Sequence, residues 1–148
     1  MPLINAYQYL NTNLMKTQFF TIALFGVIAL WFTSCSNKTL FLQSSVLPAA
    51  EGYVEVSRDK SENYIIKIDL KNFAGAERLD PSNLTYVVWM VTSSDATVNI
   101  GRISTNNSLN ASFETLSSFR PVKIFITAEE QENARYPGSM VILTTNRF

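Results

Sequence analysis

From residue 52 onward, hydrophobic and polar positions alternate with a period of two. In Tyr64-Ile65-Ile66-Lys67-Ile68-Asp69-Leu70, the side chains of Tyr64, Ile66, Ile68 and Leu70 share one face while Lys67 and Asp69 take the other. That is the signature of a strand with one face buried and one face wet. The same alternation runs through Leu109-Asn110-Ala111-Ser112-Phe113-Glu114, and less regular β-rich runs occupy 52–58, 98–103, 122–129 and 140–145. The run 85–92, TYVVWMVT, is apolar on both faces and predicts a central strand covered from both sides. Turn-forming clusters separate these runs: Asp59-Lys60-Ser61-Glu62-Asn63, Asp80-Pro81-Ser82-Asn83, Ser93-Ser94-Asp95, Asn106-Asn107-Ser108, Ser117-Ser118 and Tyr136-Pro137-Gly138. About seven short strands at this spacing predict an all-β domain over 52–148, an immunoglobulin-like two-sheet β-sandwich.

The amino-terminal region has a different pattern. From Met15 it reads MKTQFFTIALFGVIALWFTSC: one positive charge at Lys16, an uncharged apolar run over 19–32, then Thr33-Ser34-Cys35. Those are the three parts of a secretory signal. The run is shorter than the roughly 20 residues needed to span a bilayer, and no Lys or Arg cluster follows it. The polar, uncharged MPLINAYQYLNTNL before Met15 fits neither a signal nor a domain, so the expected start of translation is Met15 and residues 1–34 are expected to be removed.

Phe32-Thr33-Ser34-Cys35 resembles the lipobox of bacterial lipoproteins, with Phe32 and Thr33 standing where that motif has Leu and Ala or Ser. The resemblance implies that the Cys35 thiol takes a diacylglyceryl group and that cleavage falls between Ser34 and Cys35. The alternative is an unmodified cysteine behind an ordinary signal or anchor. Two or three acyl chains hold a protein on a bilayer stably. Residues 35–51 then serve as a lipidated tether ending at Pro48-Ala49-Ala50-Glu51. Ser36-Asn37-Lys38-Thr39 places no acid behind Cys35, which by resemblance to known sorting patterns implies the periplasmic face of the outer membrane.

Composition narrows the chemistry. The 148 residues carry 12 basic and 12 acidic side chains, a single cysteine and no histidine. A chain of this size buries roughly two-thirds of its unfolded surface and needs no disulfide or metal to fold. Nucleic acid is excluded as an expected partner, because phosphate binding rests on clustered Lys and Arg. The lack of histidine removes the commonest general base and transition-metal ligand.

Three segments together carry a second resemblance: Tyr86-Val87-Val88-Trp89-Met90-Val91, then Val98-Asn99-Ile100-Gly101-Arg102-Ile103, then Ile124-Phe125-Ile126-Thr127-Ala128-Glu129 leading to Tyr136-Pro137-Gly138-Ser139-Met140-Val141-Ile142-Leu143. This order resembles the extracytoplasmic domain of anti-sigma-K factors. It implies a sandwich fold. Anti-sigma activity in that family belongs to a cytoplasmic helical domain, so the resemblance implies the sensory half alone, tied to lipid. An accessory or regulatory role in extracytoplasmic sigma/anti-sigma stress signalling follows as the alternative function.

Candidate sites divide between chemistry and packing. Tyr86 and Trp89 have the ring area of a ligand platform, but Trp89 stands mid-strand among Val88, Met90 and Val91, and core packing is the expected role. Glu129, Glu130 and Glu132, with Asp95, have the oxygens a hard cation needs, yet lack the alternating Asp/Asn spacing of a calcium loop; a solvated acidic turn is expected. Paired carboxylates acting on polysaccharide would need two acids across a groove, and spacing singles out none. The Asn-x-Ser/Thr triplets at Asn37, Asn83, Asn106 and Asn110 carry no weight in a bacterial chain. Gly101 and Gly138 are expected to serve backbone geometry, as a bulge and a turn. The expected function is non-catalytic: a lipid-anchored envelope protein, with no cofactor or metal, that meets membrane lipid through Cys35 and binds an envelope protein or polymer through loops or a sheet edge.

Overall fold

The structure, a computed structural model, describes residues 37–80, 84–105 and 109–148. Its strands are β1 (Asn37–Leu40), β2 (Glu51–Arg58), β3 (Tyr64–Lys71), β4 (Thr85–Thr92), β5 (Thr97–Ile103), β6 (Ala111–Ser117), β7 (Pro121–Glu129) and β8 (Val141–Thr144). They form two antiparallel four-stranded sheets, ordered β1-β2-β3-β6 and β5-β4-β7-β8. The chain passes from one sheet to the other between β3 and β4, β5 and β6, and β6 and β7. This is the Greek-key, two-layer arrangement of an immunoglobulin-like sandwich.

Period-two side chains build the core. Val54 of β2, Ile66, Ile68 and Leu70 of β3, and Ile124 and Ile126 of β7 are all buried between the sheets. Tyr86, Val88 and Met90 of β4 join them. Val87 and Trp89 point to the other face of β4 and are equally shut from water, so the strand is covered on both sides as its composition requires.

Two differences from the sequence pattern have physical reasons. The segment expected as a tether contains a strand: β1 pairs with β2 from Asn37 opposite Val56 to Leu40 opposite Tyr53. Its only large apolar side chain, Leu40, is exposed, so no hydrophobic alternation betrays it. Main-chain pairing holds it, with Lys38 3.7 Å from Glu55 and 4.5 Å above the Tyr53 ring. The strand expected from Leu109 starts instead at Ala111, because the Leu109 carbonyl accepts a hydrogen bond from the Phe73 amide at 2.8 Å and is spent on a loop.

On the outer face of the first sheet, Lys38, Glu55, Lys67 and Glu114 lie opposite one another across β1, β2, β3 and β6. Charge alternates along this row, and Lys67 and Glu114 approach to 3.3 Å. Exposed pairs of this kind each contribute at most about 1 kcal/mol. Their sharper effect is on register, since a two-residue slip would set Glu55 against Asp69.

Register also defines the two ends of the sandwich. At one end lie the start of β1, the 59–63 turn, the 93–96 turn, the 118–120 turn and the carboxyl terminus. At the other lie the 42–50 segment, the 72–80 segment with its 3-10 turn Ala76–Arg78, and the long 130–140 loop.

Gly101 takes φ +136 beside the register shift where Val88 and Trp89 face Gly101 and Asn99. It is the bulge glycine, and a Cβ there would lie 2.9 Å from the Phe113 ring. Gly101→Ala is therefore expected to destabilise the domain by about 1–3 kcal/mol, read as a lower urea midpoint; an unchanged midpoint would show that the bulge tolerates a side chain.

Candidate functional site

Ser34 and Cys35 lie outside the described residues, as do Asn83 and Asn106. Cys35 precedes Asn37, the first residue of β1, by two positions.

Of the acidic and aromatic candidates, Trp89 and Glu129 are joined at the end of the sandwich opposite the start of β1, over the outer face of the second sheet. Trp89 Nε1 donates to Thr127 Oγ1 at 2.8 Å, and both side chains are fully buried. The Thr127 hydroxyl in turn donates to Glu129 Oε1, and the Gly138 amide donates to the same oxygen at 2.7 Å. A relay of Trp89, Thr127, Glu129 and Gly138 so ties the buried indole to the far side of the 130–140 loop. Two further clamps fix the loop's near side: Asn99 Nδ2 donates to the carbonyls of Glu132 and Ala134 at 3.0 and 3.1 Å, and Arg102 meets Glu132 at 2.9 Å.

Core packing was the expected role of Trp89, and the residue is buried; its place is on the outer face of the second sheet, with Phe125 stacked at 6.3 Å. The sequence showed that both faces of β4 must be covered but not which element covers the second. Tyr86 is no platform either. Its ring packs 4.5 Å from Phe73 and its hydroxyl donates to the Ala74 carbonyl at 2.9 Å.

The four acids weighed as cation ligands, for which a solvated turn was expected, are not brought together. Glu129 holds the loop, Glu132 pairs with Arg102, and Asp95 sits at the other end of the domain, 2.7 Å from Arg147. Among the described residues no group of three His, Cys, Asp or Glu side chains is placed to hold a metal ion. Gly138 answers to close approach, since a Cβ there would lie 2.8 Å from Glu129 Oε2.

Beside the relay an open pocket of about 420 Å³ is lined by Leu84, Glu129, Glu130, Gln131, Ser139 and Met140 among others. Tyr136, on the same loop, is 83% exposed. Composition alone did not single out either feature. The pocket offers carboxylate, amide and hydroxyl oxygens beside apolar walls, a chemistry that accepts hydrogen bonds from cationic or amide-bearing groups. One further spacing, Ser57-Arg58-Asp59-Lys60, places a serine three residues before a lysine. Ser57 lies on β2 and Lys60 in the turn that follows it, and no hydrogen bond joins the two side chains, so they do not form a nucleophile and its base.

Trp89→Ala should cost about 3–5 kcal/mol through the cavity left behind, and Thr127→Val about 1–3 kcal/mol by stranding a buried indole N–H, both measured by urea unfolding; near-normal stability of Trp89→Ala would return the residue to a binding role. Burial, reinforced by the nearby Glu77 charge, pushes the Tyr86 phenol up to about 12. The unfolded chain ionises first, near pH 10, so stability present below pH 10 should be lost as pH rises toward 12. Tyr86→Phe should flatten that alkaline limb.

Comparison with protein-family models, with curated proteins and with solved structures finds no match for this chain, and its own residues carry the functional reading.

Proposed function

We propose that this protein is a lipid-anchored, non-catalytic binding module of the bacterial envelope, held at the periplasmic face of the outer membrane through Cys35. What supports the reading is the end of the sandwich away from the start of β1, where the pocket, Tyr136 and the clamped 130–140 loop lie; in the sequence Cys35 stands two positions before β1. Strands of eight residues such as β2 and β3, at about 3.3 Å per residue, put roughly 25 Å between that loop and the end where β1 begins. A ligand-facing end held that far from the anchor reaches past the headgroups to an envelope protein or polymer.

The binding reading is favoured over catalysis by the way Glu129 is used. Its carboxylate receives hydrogen bonds from Thr127 and Gly138, which fit it to position a loop rather than to shuttle protons. The regulatory alternative has one point in its favour: the segments that resemble anti-sigma-K factors fall on β4, β5, β7 and β8, which together make up the whole second sheet.

In cells fed a palmitate analogue, the wild-type chain should be labelled and Cys35→Ser should persist unlabelled as a precursor; equal labelling of both would overturn the anchor. A photo-crosslinker replacing Tyr136 should capture one discrete envelope component, whereas the same group replacing Lys67 on the charged row should capture none. Equal capture at both positions would remove the binding end.

A further inference from the structure

The end of the sandwich where β1 begins is organised as a surface. Ser117 Oγ accepts from the Phe119 amide and donates to the Phe119 carbonyl, both at 3.0 Å. Ser118 Oγ donates to Asn63 Oδ1 at 3.3 Å, and the Arg120 carbonyl accepts from the Ser93 amide at 3.1 Å. The Asp59 carboxylate closes its own turn by accepting from the amides of Ser61 and Asn63. Three turns are thereby tied into one platform. On it the fold holds Phe119 62% exposed, with Leu116 63% exposed alongside.

Charge divides between the two ends. Arg58, Lys60, Arg120, Lys123 and Arg147 outnumber Asp59, Glu62 and Asp95 at this end, while carboxylates outnumber cations at the other. Arg58 pairs with Glu62 and Arg147 with Asp95. Lys60, Arg120 and Lys123 have no ion-pair partner among the described residues.

We propose that this end is a contact surface for an anionic lipid bilayer, with Phe119 entering the interface and Lys60, Arg120 and Lys123 meeting lipid phosphates. The proposal rests on the lipid-anchor reading in one respect: it is acyl chains on Cys35 that hold this end against the membrane, because two residues reach at most about 7 Å. Cations near an anionic leaflet and an aromatic ring at headgroup depth are each favourable there. Acyl chains combined with a basic patch anchor more firmly than either alone. The domain is then held upright, with its acidic end turned away from the lipid.

The test uses the full chain, acylated in its host, reconstituted into vesicles of brominated phosphatidylglycerol and phosphatidylcholine. Phe119→Trp and Tyr136→Trp each add one exposed indole, read against the wild-type emission. Quenching of the indole at 119 is expected to exceed that at 136 at least twofold, and to fall toward it in phosphatidylcholine alone or in 0.5 M salt. Lys60→Glu, Arg120→Glu and Lys123→Glu together should have the same effect while the protein still floats with the vesicles. Equal quenching at the two positions, or quenching at 119 that ignores both salt and lipid charge, overturns the surface. The salt and lipid arms need no charge variant, so a triple variant that fails to fold leaves the test intact. If palmitate labelling shows Cys35 unacylated, the anchor reading fails on its own. The unmodified chain should then still bind anionic vesicles at least tenfold more tightly than neutral ones, and equal binding to both would reject the surface as well.

Discussion

The structure depends on one requirement: β4 is apolar on both faces, so both must be covered. Tyr86, Val88 and Met90 meet the first sheet, which fixes the sandwich. Val87 and Trp89 face outward and are buried all the same, which obliges the 130–140 loop to fold back over the second sheet. Burying an indole brings its N–H inside, and a buried donor without a partner is costly. Thr127 accepts that hydrogen bond, passes its own proton toward Glu129, and Glu129 takes the Gly138 amide. The geometry of the pocket rim is therefore set by the need to satisfy one nitrogen in the middle of a strand.

The same architecture sorts the remaining surface. The charged row across β1, β2, β3 and β6 is neutral as a whole and keeps that sheet face wet. Basic residues gather at the end where β1 begins and carboxylates at the end that holds the pocket. Because the strands run between the two ends, what happens at either is mechanically joined to the other by a stiff β-layer while being chemically opposite to it.

Much of the fold was legible because the alternation of Ile66, Lys67, Ile68, Asp69 and Leu70 is direct evidence of one buried face, and because 85–92 has no polar face to offer water. β1 was illegible for the complementary reason: it is held by main-chain pairing and by Lys38 over Tyr53, and neither leaves a hydrophobic trace. The site was less readable than the fold. Glu129 and Glu132 have the oxygens of a cation cluster, yet Glu129 meets Thr127 two positions earlier on β7, while its contact with Gly138 and that of Glu132 with Arg102 are set by the folding back of a loop. Asp95 and Arg147 are 52 positions apart, and only the meeting of the 93–96 turn with the carboxyl terminus brings them together. Cys35 stood out through motif resemblance and its uniqueness in the chain, with no help from periodicity.

The edges of the sheets explain why contacts with other molecules are assigned to the ends. On one side of the sandwich Phe41 bridges to Thr145 and the Leu42 amide donates to the Thr144 carbonyl at 2.8 Å, which closes β1 against β8. On the other side, β5 is bent by the bulge at Gly101, and β6 presents Glu114 along its length. Bulges and charges at an edge oppose the addition of another strand. With one side sewn shut, the other blunted and the outer face of the first sheet occupied by paired charges, the two loop-built ends are where shape and chemistry are free to vary. Turns tied to one another by Ser118 and Ser93 at one end, and the Trp89 relay at the other, keep those ends ordered enough to be recognised.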